Sequence, residues 1–493
     1  MMRAACASAC ASARVTQPPG EEPMKPSVTH LLETPLPSVD RRSFFRTLGT
    51  VATGAVALAH SATAEARAAS AAAVVQSNVK RASEPSALKI TDLRIAVVEK
   101  APMTCPLIRI DTNQGLSGYG EVRDGASETY ALFLKSRIIG ENPCHVDKVF
   151  RKLKQFGGPA RQAGGVCGIE MALMDLAGKA WGVPCWQMLG GRFRDRVRLY
   201  ADTTETDDPT EQGRRLKARM DVGISFLKQD FGINLLHEKP GMLSRPLGLT
   251  FSQSQMIMHP FTGIEITDKG IAFLDEWVGT IRSIIGMEVP LASDHYGHIG
   301  VNSCIRLARA MEKHQMAWME DMVPWQMGHM MKEIRENTST PILTGEDIYL
   351  KEPFVELIEQ GAVDMIHPDL ASSGGLIETK KIGDFAMEHG VPMAMHFAGC
   401  PFGYMANVHT AAATENFISL EHHSLDVPWW NDLVTRVDGL PLFDHGFAPV
   451  SDAPGLGVEP NEAVIRAHLR PGSGYFEPSV QWDKERSWDR TWS

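Results

Sequence analysis

Leu291-Ala292-Ser293-Asp294, Met316-Ala317-Trp318-Met319-Glu320 and Pro341-Ile342-Leu343-Thr344-Gly345-Glu346 decide the fold. Each is a short, largely apolar run closed by a carboxylate, and the three carboxylates follow one another at intervals of 26 residues. Such an interval holds one strand, one helix and their turns, so these runs are predicted to be successive parallel strands with helices between them. Strands buried on both faces carry continuous apolar runs of this kind, whereas half-exposed strands alternate. The full pattern comprises eight runs, at 197–202, 225–230, 288–294, 316–320, 341–346, 363–369, 391–396 and 417–421. Eight is the number that a closed (β/α)8 barrel needs. Each run ends on a polar residue, at the rim where such barrels carry their functional groups.

Outward from the barrel, 89–100 reads as a strand and 106–122 as a hairpin turning at Asn113-Gln114-Gly115. Apolar residues recur at helical spacing over 168–182, and Gly182-Val183-Pro184 ends that helix. A small α+β domain is therefore predicted ahead of the barrel. One βα unit is too long: Asp230 and Asp294 are 64 positions apart. Thr267-Asp268 is a plausible helix start, which leaves 232–266 as an insertion on the functional rim. Its Leu236, Leu243, Leu247, Leu249, Met256 and Met258 suit a lid. Beyond Glu421 the chain becomes loop-rich. The predicted division is 1–85 leader and linker, 86–195 α+β domain, 196–425 barrel and 426–493 C-terminal segment.

The chain has 493 residues, 43% hydrophobic and 22% charged, with a formal net charge of -10. It can bury a large core, and with no Lys/Arg stripe nucleic acid is excluded as an expected partner. Asp40-Arg41-Arg42-Ser43-Phe44-Phe45-Arg46, followed by a mildly apolar Ala/Gly/Val stretch and small residues near Ala64 and Ala68, reads as a twin-arginine signal. The expectation is export to the periplasm, with no membrane attachment once the signal is removed. The cysteines show no zinc spacing and read as buried thiols.

Carboxylates ending three successive strands converge on one point. Asp294, Glu320 and Glu346 so placed suit Mg²⁺, a hard cation that takes oxygen ligands and keeps positions for water and substrate. Asp369 and His396 end the next two strands, where a carboxylate can orient an imidazole as general base. Glu421 ends the last strand, and a protonated carboxyl there could donate to a substrate oxyanion.

Phe226-Leu227-Lys228-Gln229-Asp230, Met319-Glu320-Asp321, Thr344-Gly345-Glu346-Asp347, His367-Pro368-Asp369-Leu370 and Ala394-Met395-His396 follow one another in order. With the junction from Gly168-Ile169-Glu170 to Leu189-Gly190-Gly191 and the closing Pro454-Gly455-Leu456-Gly457, they resemble the enolase superfamily, mandelate racemase subgroup, over about residues 88–460. The resemblance implies an α/β fold, a modified (β/α)8 TIM barrel under an N-terminal α+β capping domain completed by the C-terminal segment. It also implies one Mg²⁺ on Asp294, Glu320 and Glu346, a His396–Asp369 base dyad, Glu421 near a substrate carboxylate, Lys228 as a second positive charge, and a homo-oligomer.

Two departures from the subgroup stand out. Its usual Lys-x-Lys is Lys228-x-Asp230 here, so the lysine base on the opposite face is missing; Asp230 could be an acid/base or bind a substrate hydroxyl. His295-Tyr296-Gly297-His298 follows Asp294, and His295 or His298 could reach the substrate or support the ligands. One strong base favours dehydration of a sugar acid to a 2-keto-3-deoxy acid over racemisation, epimerisation or cycloisomerisation. A non-catalytic, exported sugar-acid-binding protein is the rival from another class.

Overall fold

The computed structural model describes residues 85–294 and 299–484. The twin-arginine leader, His295, His298 and the last residues of the chain lie outside the described residues.

The strands β1 (Ile90–Val98), β2 (Cys105–Thr112) and β3 (Ser117–Glu121) form an antiparallel sheet in that order. Helix α1 (Gly164–Trp181) packs on it. The sequence predicts a helix with one apolar face, yet every residue of α1 except Lys179 and Trp181 is buried. The reason is a sandwich: α1 lies between the cap sheet and the helices of the barrel. Small residues permit the approach. A Cβ on Gly120 would stand 2.1 Å from the carbonyl oxygen of Gly168.

The barrel strands are β4 (Arg196–Ala201), β5 (Leu227–Asp230), β6 (Leu291–Asp294), β7 (Met316–Glu320), β8 (Ile342–Thr344), β9 (Met365–Ile366), β10 (Met393–Met395) and β11 (Phe417–His422). They pair in sequence order and all in parallel, and β11 closes on β4 through Leu420–Leu199, Glu421–Tyr200 and His422–Ala201. Seven long helices follow the first seven strands: α2 (Pro209–Asp221), α3 (Asp268–Ile285), α4 (Val301–Met311), α5 (Gly328–Glu336), α6 (Lys351–Glu359), α7 (Gly375–Glu388) and α8 (Pro401–Ala413). Among the described residues no long helix follows β11. The chain continues instead through β12 (Val434–Arg436), β13 (Phe447–Pro449), which pairs antiparallel with β4, and β14 (Val458–Pro460). It then returns to the cap, where Glu99 N–H donates to His468 O and Arg470 N–H to Val97 O. The fold is thus the modified barrel with a cap completed by the C-terminal segment. Among the described residues no helix is long and apolar enough to cross a membrane.

Several ladders stop short of the apolar runs, so Glu346, Asp369 and His396 sit one to three residues past β8, β9 and β10. Gly345 makes this turn possible after β8. Its φ is 151°, and a Cβ there would meet the backbone of His367 at 2.8 Å.

Inside the barrel, Tyr200, Phe226, Ala292, Trp318, Leu343 and Ala394 form a dry layer, with the Phe226 and Trp318 rings 4.8 Å apart. Strand side chains alternate with a period of two. Two residues beyond Tyr200, Phe226, Ala292, Trp318 and Ala394 therefore come Asp202, Lys228, Asp294, Glu320 and His396.

The insertion at 232–266 is closed by a Leu243–Ile266 bridge, and Thr267 caps α3 by accepting from Gly270 N–H at 3.1 Å. Leu236 and Leu243 are buried, whereas Leu247 and Met256 are exposed. The suggested lid residues are thus divided between anchoring and solvent. The six cysteines of the described range are free thiols, five of them buried and Cys144 half-buried.

Cap and barrel are joined by acids of the cap that receive backbone donors of the barrel side. Glu121 accepts from Cys400 and Gly403 N–H at 2.7 and 3.0 Å, at the start of α8. Glu170 accepts from Leu376 and Ile377 N–H at 2.7 and 3.1 Å, at the start of α7. A helix N-terminus has unpaired donors, so each contact satisfies groups that α7 and α8 cannot satisfy themselves, while burial raises both carboxyls to about 8. Glu170→Ala leaves two buried N–H groups unpaired. It is expected to lower Tm in a thermal melt, by a loss on the order of 2–3 kcal/mol; an unchanged Tm would show that the joint does not depend on this carboxylate.

Candidate active site

A cavity of about 500 Å³ opens at the C-terminal rim of the barrel. Lys228, Asp230, Asp294, Glu346 and His396 line it from the barrel, Asn234 from the insertion, and Met103, Asp124 and Arg161 from the cap.

Lys228 organises the floor. Its buried Nζ lies 2.7 Å from Asp294 Oδ2, 3.1 Å from Glu421 Oε1 and 3.3 Å from Glu320 Oε2. Burial alone would lower its pKa, but those carboxylates outweigh burial and hold the ammonium well above its ordinary value. One ligand atom each from Asp294, Glu320 and Glu346 falls within 4.8 Å of the others. Burial, and then the charge of Asp294, push the Glu320 carboxyl well up. The trio therefore carries more negative charge than Lys228 offsets. Three hard anionic donors under such repulsion fit a small divalent cation.

On the next strands, His396 Nδ1 stands 2.6 Å from Asp369 Oδ2, and Asp369 Oδ1 accepts from Ala371 N–H at 2.6 Å. The carboxylate is thereby fixed at a helix start while it orients the imidazole. Burial would lower the His396 pKa, but Glu346 and Glu421 outweigh it and hold the ring at about 10. His396 Nε2 faces Glu346 Oε2 at 3.1 Å.

Sequence reasoning missed Arg123, two residues past β3. Its fully buried guanidinium pairs with Asp369 and reaches Glu346 Oε1 at 3.3 Å and Asp124 Oδ1 at 3.2 Å. Nη1 is also 2.8 Å from His396 Nδ1. Arg123 Nη1 and His396 Nδ1 thus converge on the same Asp369 oxygen, Oδ2. Nothing in the hairpin pattern marks Arg123, since Asp369 and Glu346 are more than two hundred residues away.

His367 and Tyr200 were also missed as site residues. Tyr200 O–H donates to Glu421 Oε2 at 2.8 Å and stands 2.5 Å from His367 Nε2. His367 Nδ1 meets Glu320. Burial, and then Lys228, lower the His367 pKa to about 3. This chain of contacts ties one carboxylate of the trio to Glu421 through neutral groups.

For Glu421 the surroundings reverse the expected protonation. Burial would raise its pKa, but Lys228, His396 and His423 hold it well below the carboxylate range. That direction runs against the protonated donor expected from the sequence. Asp230 pairs in register with Asp294 and lines the same cavity. His295 and His298 lie outside the described residues.

The chain matches two family models, "Mandelate racemase / muconate lactonizing enzyme, N-terminal domain" over residues 73–190 and "Enolase C-terminal domain-like" over residues 275–464. It is 32% identical over 398 residues to a D-xylonate dehydratase of Haloferax volcanii, covering 79% of this chain and 91% of that protein. The chain belongs to the enolase superfamily. It is similar to a D-galactonate dehydratase of Verminephrobacter eiseniae, 28% identical over 79% of this chain and 97% of the relative. Among solved structures, a mandelate racemase/muconate lactonizing enzyme-like protein from Rubrobacter xylanophilus superposes with a TM-score of 0.70. It shares 31% identity over 79% of this chain and 100% of that one. As a member of this superfamily the chain is an enzyme, and its barrel rim is the place to seek the reaction.

If the trio is the cation site, Asp294→Asn, Glu320→Gln or Glu346→Gln should each weaken Mg²⁺ binding by more than about 10-fold in calorimetric titration. Asp230→Asn, outside the trio, should change it by less than about threefold; equal losses at all four positions would dissolve the distinction.

Proposed function

We propose that the chain is a Mg²⁺-dependent hydro-lyase that removes water from a sugar acid to give a 2-keto-3-deoxy acid. The observation that carries the reading is the His396–Asp369 dyad facing the Asp294, Glu320 and Glu346 trio across one polar cavity. The relatives named D-xylonate dehydratase and D-galactonate dehydratase support the same substrate class.

A proton beside a carboxylate is weakly acidic, because its loss puts further negative charge on an anion. Mg²⁺, when bound, supplies positive charge against the substrate carboxylate oxygens, and Asp294, Glu320 and Glu346 would hold it. Lys228 adds a fixed ammonium on the same side. His396, oriented by Asp369 and steadied by Arg123, takes the α-proton at Nε2. Glu421 is ionised, so it accepts a hydrogen bond from a substrate hydroxyl instead of donating one. Arg161 and Asn234 offer polar contacts from the cap and the insertion to the distal hydroxyls.

Asp230, where the subgroup usually has lysine, leaves His396 as the one strong base of this reading, which favours elimination over two-base racemisation. Export by the twin-arginine route remains part of the proposal. Cell fractionation and mass spectrometry of the mature N-terminus would place the protein in the periplasm with cleavage near Ala64 or Ala68, or refute it.

His396→Asn is expected to abolish α-proton exchange in D₂O and lower kcat by about 10²–10⁴-fold on a panel of aldonic acids. Mg²⁺ affinity should change little. A variant that still exchanges the α-proton would remove His396 from the role of base.

A further inference from the structure

His423, unmarked by the sequence pattern, lies two residues past Glu421 and lines the cavity. Its Nδ1 is 3.3 Å from Asp202 Oδ2, and its Nε2 is 3.3 Å from Glu421 Oε1. Asp202 ends the first barrel run, two residues beyond Tyr200, and lines the same wall. Its Oδ1 is buried without a hydrogen-bond partner within the protein. His423 is 20% exposed at its side chain, enough to meet a ligand in the cavity. The His396 and His423 rings have centroids 6.2 Å apart. Two imidazoles, each backed by its own carboxylate, therefore stand on neighbouring strands facing one cavity.

From this geometry we infer that His423, oriented by Asp202, is the general acid that protonates the departing β-hydroxyl. The inference rests on the proposed dehydration. In it the α C–H bond breaks and its proton passes to His396 Nε2. The electron pair then forms the Cα–Cβ double bond as the Cβ–O bond breaks, and the oxygen leaves as water with the proton from His423 Nε2. The enol formed tautomerises to the 2-keto-3-deoxy acid. The enzyme returns to its starting state when His396 gives a proton to solvent and His423 takes one up. Glu421, between the two rings, favours a protonated His423 through its negative charge, as does Asp202.

The test uses the aldonic acid that the wild-type enzyme dehydrates in the panel above, together with its 3-deoxy-3-fluoro analogue. Fluoride leaves without a proton. His423→Asn and His423→Gln are expected to lose about 10²-fold or more in dehydration while keeping α-deuterium exchange and fluoride release within about threefold of wild type. Asp202→Asn should shift the same ratio in the same direction. Retained dehydration, or equal loss of dehydration, exchange and fluoride release in a variant of unchanged Tm, would overturn the assignment; equal loss would make His423 a positioning residue for Glu421. If the wild-type enzyme dehydrates nothing and exchanges no α-proton, the proposed function fails first. Wild-type exchange without dehydration refutes the acid role as well.

Discussion

Lys228 shares its buried ammonium among Asp294, Glu320 and Glu421, and the surrounding site is arranged around that shortage of positive charge. Asp294, Glu320, Glu346, Asp369 and Glu421 are in direct contact with two permanent cations, Lys228 and Arg123. Each uncompensated buried carboxylate costs several kcal/mol. The imbalance fits the upward push on Glu320, and Glu346 and Glu421, which also face His396 Nε2, are shifted the other way. It also explains why His396, although buried, is held up as an imidazolium. A divalent cation would relieve the repulsion and give the imidazole reason to release its proton.

The cap takes part in this balance. Arg123 reaches from the cap to Asp369 and Glu346, so the orientation of the dyad depends on how the cap sits. Glu121 and Glu170 hold that position by accepting the backbone donors of α8 and α7. The same physics is used twice: a buried acid of the cap is satisfied by helix N-termini of the barrel, and a buried cation of the cap is satisfied by carboxylates of the barrel. The dry layer of Tyr200, Phe226 and Trp318 below the site excludes water from one side, so these charges interact in a poorly screened space.

Much of the site was legible because strand periodicity converts sequence position into direction. Asp294, Glu320 and Glu346 recur at one βα interval, and each strand delivers its terminal residue to the same rim. The helix start at Thr267 was legible for a local reason, a side chain that caps its own backbone. Closure was expected from the count of eight runs, but the register of the closing pair was not, since β11 meets β4 across more than two hundred residues. Nor was the burial, on nearly every side, of α1, whose second covering layer comes from helices distant in sequence.

By itself, then, the sequence determined the eight-run barrel pattern, the spacing of the acidic residues at its rim and the placing of His396 beside Asp369. These follow from a repeat of fixed length and from alternation along a strand. Only the tertiary structure decided the charge states and the partners. The Glu421 carboxyl is held below its ordinary range because Lys228, His396 and His423 converge on it; Arg123 belongs to the site because the cap folds over the rim; and His423 stands with Asp202 because the last strand closes on the first. Charge and contact depend on which groups meet in space, and in a barrel those groups come from opposite ends of the chain.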